Sequence, residues 1–381
     1  MSWTVLHEPG SFKECYDVWQ DVHAAVGGGH PLLDARFLAP CIDIFGEPSR
    51  RMAVALLERD RRVEGALLLE HRGLGVWRAF MTPHTPIAPI LGMHRMDLAS
   101  NLRDLVAQLP GPAWLLQLNA HDPFYAAVGA SHEGPHVENR SHQTTVRVSI
   151  EGSFDDYWQS RSRNLRRSIR GALNRLRTAC LDLRFVKLER PAEMAKAIRE
   201  HSKLEHSGWK KSGDTAMEPR NDCGKFYRGV LDSFAARGQA CVYQLFMGDE
   251  LAASQMTLSQ NGMVVLLKTA YFEPLARYAP GRVLDYLLLK HLFETRSASC
   301  VEYYTTASAD DIRWATEQRP LIHLNCYSNR FVKGSVACVR HVAHALRVGA
   351  RVSRSLVWGA FSVLPGDIAA GGIPDLGGAL T

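Results

Sequence analysis

The sequence predicts a mixed α/β (α+β) protein, built as two units of mostly antiparallel sheet flanked by helices and followed by a basic amphipathic C-terminal helix. Three observations carry this. The chain has 381 residues, 46% hydrophobic and 22% charged, enough for two globular domains at roughly 100–200 residues each. Stretches of helical period alternate with short apolar runs bounded by turn residues. The second half orders its elements as two helices, a three-strand antiparallel meander, then a loop, a helix and a strand.

In the first half, Phe12, Cys15, Val18, Trp19, Val22 and Val26 have helical spacing over 11–26 and stop at Gly27-Gly28-Gly29, a strong breaker. Apolar runs at 52–58, 63–69 and 74–80, separated by Arg59-Asp60-Arg61-Arg62 and by Gly73, read as strands of a meander. A Pro-rich loop from Thr82 to Pro89 precedes a helix at 97–109 and a strand at 113–118. Residues 119–145 are rich in His, Gly and Pro without periodicity and read as a connection. The expected domains are therefore 1–145, 146–330 and 331–381. The second half reads as helix 154–179 opening at Ser153, strand 182–188, helices 192–207 and 224–237, and strands 241–247, 251–258 and 263–270. Helix 282–295, behind Pro280-Gly281, and strand 300–305 follow.

The net charge of +6 is localised. Arg161, Arg163, Arg166, Arg167, Arg170, Arg175 and Arg177 share a stretch without acids, and Arg330, Lys333, Arg340, Arg347, Arg351 and Arg354 share another. Together they hold thirteen positive charges, which leaves the rest of the chain at −7. In the first stretch Leu165, Ile169, Leu173 and Leu176 form one apolar stripe, so it reads as a packed helix whose arginines either face solvent or face a phosphate-bearing ligand. In the second, Arg340, His344, Arg347, Arg351 and Arg354 share a helix face, and Trp358 and Phe361 follow. That pattern suits an in-plane membrane or partner-binding helix, or a helix packed on the protein's own surface.

The eight cysteines are scattered singly, which argues for reduced thiols used in packing and against a structural zinc. No apolar run reaches the ~18–20 residues of a membrane span and no secretory signal opens the chain, so a cytoplasmic location is expected, with peripheral contact at the inner face of the membrane through the tail. A literal H-E-x-x-H stands at His132-Glu-Gly-Pro-His136. Gly134 and Pro135 forbid the helical turn that would align the two imidazoles, so no metal is expected.

Four blocks of the second half are similar to the GNAT-like acyltransferases of the bacterial cellulose-biosynthesis CelD type, relatives of the FemAB transferases. They are Arg161-Ser-Arg-Asn-Leu-Arg-Arg167, Leu204-Glu-His-Ser-Gly-Trp-Lys-Lys-Ser-Gly-Asp-Thr-Ala216, Leu267-Lys-Thr-Ala-Tyr-Phe-Glu-Pro-Leu-Ala-Arg-Tyr-Ala-Pro-Gly281 and Ile312-Arg-Trp-Ala-Thr-Glu-Gln-Arg319. The chain departs from the family pattern at Phe272, at Ala279 and after the last core strand, at Glu302-Tyr303-Tyr304 and Ala309-Asp310-Asp311. The resemblance implies two GNAT-like domains and an acyl-CoA co-substrate, acetyl-CoA first. Its pyrophosphate would sit at a helix N-terminus formed by Arg277, Tyr278, Pro280, Gly281 and Arg282, with Pro280 and Gly281 shaping the turn.

Acyl transfer also needs a positioned acceptor, a route for its proton and donors for the oxyanion. Lys268, on the last meander strand, reads as a charge-stabilising or acceptor-binding cation that burial could turn into a base, or as an exposed strand lysine. Glu302 is the first candidate for proton acceptor, with Tyr271, Glu205, Asp310 and Asp311 as alternatives. Trp209, Lys210, Trp314 and Arg319 would shape the acceptor pocket with Glu205. The acceptor implied is an amine or hydroxyl of a sugar, polysaccharide precursor or small metabolite. Two other readings stay open: an aminoacyl-tRNA-dependent transferase of the FemAB type, with the arginine helix on tRNA, and a membrane-associated scaffold that has lost catalysis.

Overall fold

A computed structural model describes residues 2–7, 11–25, 29–47, 49–92, 98–125, 134–207, 217–304 and 307–338. The first half runs β1 (Ser2–Leu6), α1 (Ser11–Glu14), α2 (Tyr16–Ala25), α3 (Ala35–Phe45), β2 (Met52–Arg59), β3 (Arg62–His71), β4 (Val76–Ala79), β5 (Ile90–Gly92), α4 (Leu98–Gln108), β6 (Leu115–His121) and β7 (Val137–Ser149). The second runs α5 (Phe154–Ser160), α6 (Arg163–Thr178), β8 (Leu183–Leu188), α7 (Pro191–Ser207), α8 (Asp222–Ala235), β9 (Ala240–Met247), β10 (Glu250–Gln260), β11 (Met263–Tyr271), α9 (Pro280–Thr295), β12 (Cys300–Glu302), α10 (Ala309–Trp314) and β13 (Glu317–Tyr327).

Both halves repeat one order: a strand, helices, a three-strand meander, a helix, and a strand parallel to the last meander strand. The two parallel ladders are β4 with β6 and β11 with β12, and the other ladders are antiparallel. The strands form one thirteen-stranded sheet in the order β1-β2-β3-β4-β6-β13-β7-β12-β11-β10-β9-β8, with β5 on β3. At its centre the halves exchange their last strands. β7 lies against β12, and β13 lies against β6, with β7 and β13 paired to each other. Residues 1–332 consequently form one compact unit, and the boundary expected at 145/146 falls inside β7.

Alternation along the second-half strands sends side chains to two separate cores. On one face Val242, Met256 and Val265 pack with Phe226, Phe234, Trp19 and Phe37 of α8, α2 and α3. On the other, Tyr243, Ala253 and Val264 pack with Leu165, Ile169, Leu284 and Leu288 of α6 and α9. The apolar stripe expected on the arginine helix is this contact, with Leu165, Ile169 and Leu176 buried and Leu173 half-buried.

Several expectations need correction. The connection at 119–145 hides the start of β7, whose polar run Glu138-Asn-Arg-Ser-His-Gln143 has no strand-like alternation. It is a strand because β13 supplies backbone partners, which depend little on side chains. The single helix at 154–179 is two. Ser153 caps the first, accepting from Asp156 N at 3.1 Å, and Ser162 caps the second, accepting from Leu165 N at 3.3 Å. The helix at 11–26 is interrupted at Cys15. The strand at 300–305 forms a ladder only over Cys300–Glu302. Six cysteines are buried as expected, but Cys180 and Cys338 are exposed.

Lys333–Thr381 make a second unit, of which residues 333–338 are described and helical. The basic face from Arg340 to Arg354, with Trp358 and Phe361, lies outside the described residues. No helix among the described residues is long and apolar enough to cross a membrane.

Candidate active site

The ladder between β11 and β12 ends at Val265↔Glu302, whereas β11 continues to Tyr271. Met256 pairs with Lys268 and Thr257 with Leu266, so Leu267 is an extra residue. This bulge bends β11 where it parts from β12. The chain then makes a 3-10 turn, Glu273–Tyr278, and enters α9 through Ala279, which is left-handed at φ 52. Pro280 takes the first helical position, where its missing N–H costs nothing. No side chain caps α9. Its first backbone bond runs from Val283 N–H to Ala279 O at 3.0 Å, which leaves the amides of Gly281 and Arg282 as the open N-terminal donors.

These donors border a cavity of about 410 Å³ lined by Tyr271, Ala276, Ala279, Pro280, Gly281, Arg282, Asp285 and Asp310. A Cβ built on Gly281 would meet no heavy atom within 4 Å, and its φ is not left-handed. The turn therefore does not require glycine at 281; Ala279 takes the left-handed conformation, and the place of a Gly281 Cβ is open space. Arg282 Nε donates to Asp310 Oδ2 at 2.9 Å. Burial, with added repulsion from Asp311 and Asp310, pushes the Asp285 carboxyl up to about 7, against a smaller opposing pull from Arg282.

Of the residues expected at the cofactor end, Pro280, Gly281 and Arg282 line this cavity, and so does Tyr271. Tyr278 is instead buried in the core, with the Arg277 guanidinium 4.7 Å above its ring. The Arg277 carbonyl accepts from Arg175 Nε at 2.9 Å, which ties α6 to this turn.

The opposite face of the sheet carries a second cluster. Lys268 Nζ donates to Glu205 Oε1 at 2.6 Å, and the other Glu205 oxygen accepts from Met217 N at 2.8 Å. Burial by itself would raise the Glu205 carboxyl, but the bonds and charge of Lys268 and the Met217 amide outweigh it and hold it below its ordinary value. Lys268 is thus neither an exposed strand lysine nor a lone buried amine; it is one half of a buried ion pair. Its ammonium lies 5.7 Å from the Tyr227 ring centroid. His84 Nδ1 is 3.3 Å from the Tyr227 hydroxyl, and burial, reinforced by Lys268, lowers this imidazole to about 4. Phe45 and Phe226 pack on His84, so the cluster draws on both halves of the chain.

Glu302 is fully buried and engaged at both oxygens. It accepts from Tyr125 Oη at 2.7 Å and from Arg319 at 2.8 Å. Arg319 also donates to Asp122 at 2.9 Å and to the Tyr304 hydroxyl at 3.1 Å. The Tyr304 hydroxyl donates to Asp122 at 3.0 Å. His30 accepts from Leu32 N at Nδ1, so its neutral ring presents Nε2–H to the Tyr304 oxygen 2.7 Å away. Burial keeps His30 neutral, near 3. Burial also raises the Glu302 carboxyl, partly offset by Arg319. This closed network joins β12 and β13 to the loop after β6. Glu302 and Arg319, expected as proton acceptor and pocket wall, are here its central ion pair.

Trp314 is core, packed on Trp158, with its carbonyl accepting from Tyr157 Oη at 2.7 Å. Trp209 and Lys210 lie outside the described residues, as do His132 and Glu133. Among the described residues no cluster of His, Cys, Asp and Glu is arranged to hold a metal ion. Asp310 pairs with Arg282, and Asp311 completes a capping box with Ser308 on α10. Sequence reasoning missed His84, Tyr227, Asp122, Tyr125 and His30. Nothing local marks them, since each meets the site through residues distant in the chain, from 41 positions between Tyr227 and Lys268 to 274 between His30 and Tyr304.

Residues 163–311 match the family model described as an acetyltransferase (GNAT) domain. No curated protein matches the chain. Among solved structures it is similar to FemX, with a TM-score of 0.53 at 11% identity over 87% of this chain and 99% of that one. A conserved protein of unknown function from Bacteroides thetaiotaomicron VPI-5482 gives a TM-score of 0.55 at 9% identity, covering 82% and 97% of the two chains. The C-terminal domain (DUF2156) of a putative lysylphosphatidylglycerol synthetase from Agrobacterium fabrum gives 0.52 at 12%, covering 86% and 95%. At these identities the likeness is one of fold.

Proposed function

We propose that the protein is an acyl-CoA-dependent N- or O-acyltransferase, with acetyl-CoA the simplest donor, acting on an amine or hydroxyl of a sugar, polysaccharide precursor or small metabolite. One observation carries this reading: an N-terminus of α9 with no side-chain cap opens on a cavity lined by Tyr271, at the end of β11 beyond its ladder with β12. The match of residues 163–311 to an acetyltransferase domain supports it.

The residues present fit a phosphate-bearing thioester. The Gly281 and Arg282 amides and the positive end of α9 receive a phosphate oxygen, and the open space over Gly281 admits it. Asp310 is already paired with Arg282 and Arg313, and Asp285 sheds its charge easily because burial favours its neutral form. The donor, when bound, supplies the activated acyl group. Past Val265 the β11 backbone is off the β12 ladder while still paired with β10, and its N–H groups turned away from β10 would stabilise a carbonyl oxygen that gains charge. On the far face Lys268 lends positive charge to the reacting centre, and Glu205 fixes the ammonium in place. The Glu302–Arg319 network holds the other side of the opening rigid. A second reading, aminoacyl-tRNA-dependent transfer of the FemAB type, is favoured by the near full-length correspondence with FemX.

A thermal-shift series with CoA, acetyl-CoA and longer acyl-CoAs tests the first reading. Ligand at 100 times its Kd should stabilise the fold by about 2.7 kcal/mol, and Lys268→Ala should keep this shift while lowering kcat at least ~10-fold. Absence of a shift with every CoA species would sink the donor assignment. Activity that needs charged tRNA and disappears on nuclease treatment would favour the second reading.

A further inference from the structure

The structure divides the arginines of α6 and the segment before it into two sets. Arg161 donates to the Trp314 carbonyl at 3.1 Å, Arg166 to Gln159, and Arg175 to the Arg277 carbonyl at 2.9 Å, so these three are internal struts. Arg163, Arg167, Arg170 and Arg177 are exposed, and none has a hydrogen-bond or ion-pair partner among the described residues. Their spacing of four, three and seven residues is a helix stripe. At about 100° per residue the four fall within ~40° of one line, and the line is about 21 Å long.

This line points away from the core, whose side is marked by buried Leu165, Ile169, Ala172 and Leu176. It also points away from the donor cavity. Ser168 and Arg175, which face that side through Arg282 and Arg277, lie about 120–140° around the helix from it. Only a macromolecular surface could engage all four guanidinium groups.

We infer that this arginine row is an electrostatic docking line for an anionic lipid surface. A plane meets a cylinder along one line, and the arginines of α6 that have no partner are confined to such a line. Its flanks carry Asn164, Gly171 and Thr178 on one side, and on the other Leu173 and Arg166, whose guanidinium is tied to Gln159. An RNA strand wrapping the helix would draw charge from those flanks and stacking from exposed aromatics. No large hydrophobic residue is exposed on α6, so the contact is with headgroups and nothing inserts. It is a weak, reversible, salt-sensitive association that would hold the transferase site near a membrane-borne acceptor.

The test uses the full chain and reads vesicle binding, which does not depend on acyl transfer. Sedimentation with phosphatidylcholine vesicles containing 30% phosphatidylglycerol should recover the protein at ~0.1 M salt, and pure phosphatidylcholine vesicles should not. The variant Arg163→Gln/Arg167→Gln/Arg170→Gln should lower partitioning about 100-fold, roughly fivefold per arginine. Its melting temperature should match the wild type, since the three side chains are exposed and unpartnered. Removing the same charge elsewhere, with Arg190→Gln/Lys225→Gln/Lys290→Gln, should leave binding within a few-fold. Wild-type protein that ignores anionic vesicles, or a stripe variant that binds as well as wild type, overturns the inference. So does binding to a 20-nucleotide RNA that is tighter than to the vesicles at equal salt.

Discussion

Replacing Gly281 with Ala separates what the protein needs at the start of α9 from what its ligand needs. On the protein side the change is benign. The new Cβ meets no heavy atom within 4 Å and the backbone is not left-handed, and alanine in a helix is favoured over glycine by up to about 1 kcal/mol. The melting temperature should hold or rise slightly. On the ligand side the methyl group takes up open space at a residue that lines the cavity, where the proposed donor phosphate would meet the Gly281 and Arg282 amides. Losing one charge-assisted hydrogen bond there costs about 1.5–3 kcal/mol, a rise in donor Kd of about 10- to 150-fold. Calorimetric titration with acetyl-CoA, alongside steady-state KM, measures this directly. Gly229→Ala is the control, since a Cβ there also meets open space but on α8, away from the cavity. An unchanged donor Kd in Gly281→Ala, together with a melting temperature at or above wild type, would refute the placement of phosphate over this turn.

Two further predictions concern buried charge. Asp285 is held at about 7 in the fold against an ordinary 3.8, so the native state binds more protons than the unfolded one across that window and stability falls as pH rises through it. Asp285→Asn should exceed wild type by less near pH 5, inside that window, than near pH 8, above it; the difference at pH 8, at most about 4 kcal/mol for a fully shielded group, is about 1–2 kcal/mol for this half-buried one. Equal unfolding midpoints at both pH values would contradict it. Arg319→Ala leaves Asp122 and Glu302 buried without their cation, and urea unfolding should show a loss of about 3–5 kcal/mol. A loss of activity at undiminished stability would instead assign Arg319 a direct part in the chemistry.

The residues that turned out to be legible are those whose role is local. The β9–β10–β11 meander, helix α9 and the Pro280-Gly281 turn could be read because alternation, helical period and a helix-start residue each leave a mark within about ten positions. The arginine helix could be placed, but not which of its arginines are struts and which face outward, because the carbonyls of Trp314 and Arg277 that bind Arg161 and Arg175 lie 153 and 102 residues further on. β7 and β13 were illegible for a related reason. The polar run 138–143 of β7 is a strand because it lies beside β13, and β13, whose Leu321, Ile322, Leu324 and Cys326 are buried, is placed by β6 and β7 on either side.

By itself, the amino-acid sequence determined the class of fold, the order of the second half, the uncapped turn at 279–282 and the concentration of positive charge in α6. Those follow from steric and hydrophobic periodicities acting between near neighbours. Tertiary structure alone decided that Lys268 is matched by Glu205, that Glu302 is locked to Arg319 and Tyr125, and that Tyr227 and His84 stand beside Lys268. Ion pairs and buried hydrogen bonds depend on which groups share a desolvated space. The exchange of β7 and β13 between the halves is what brings those groups together.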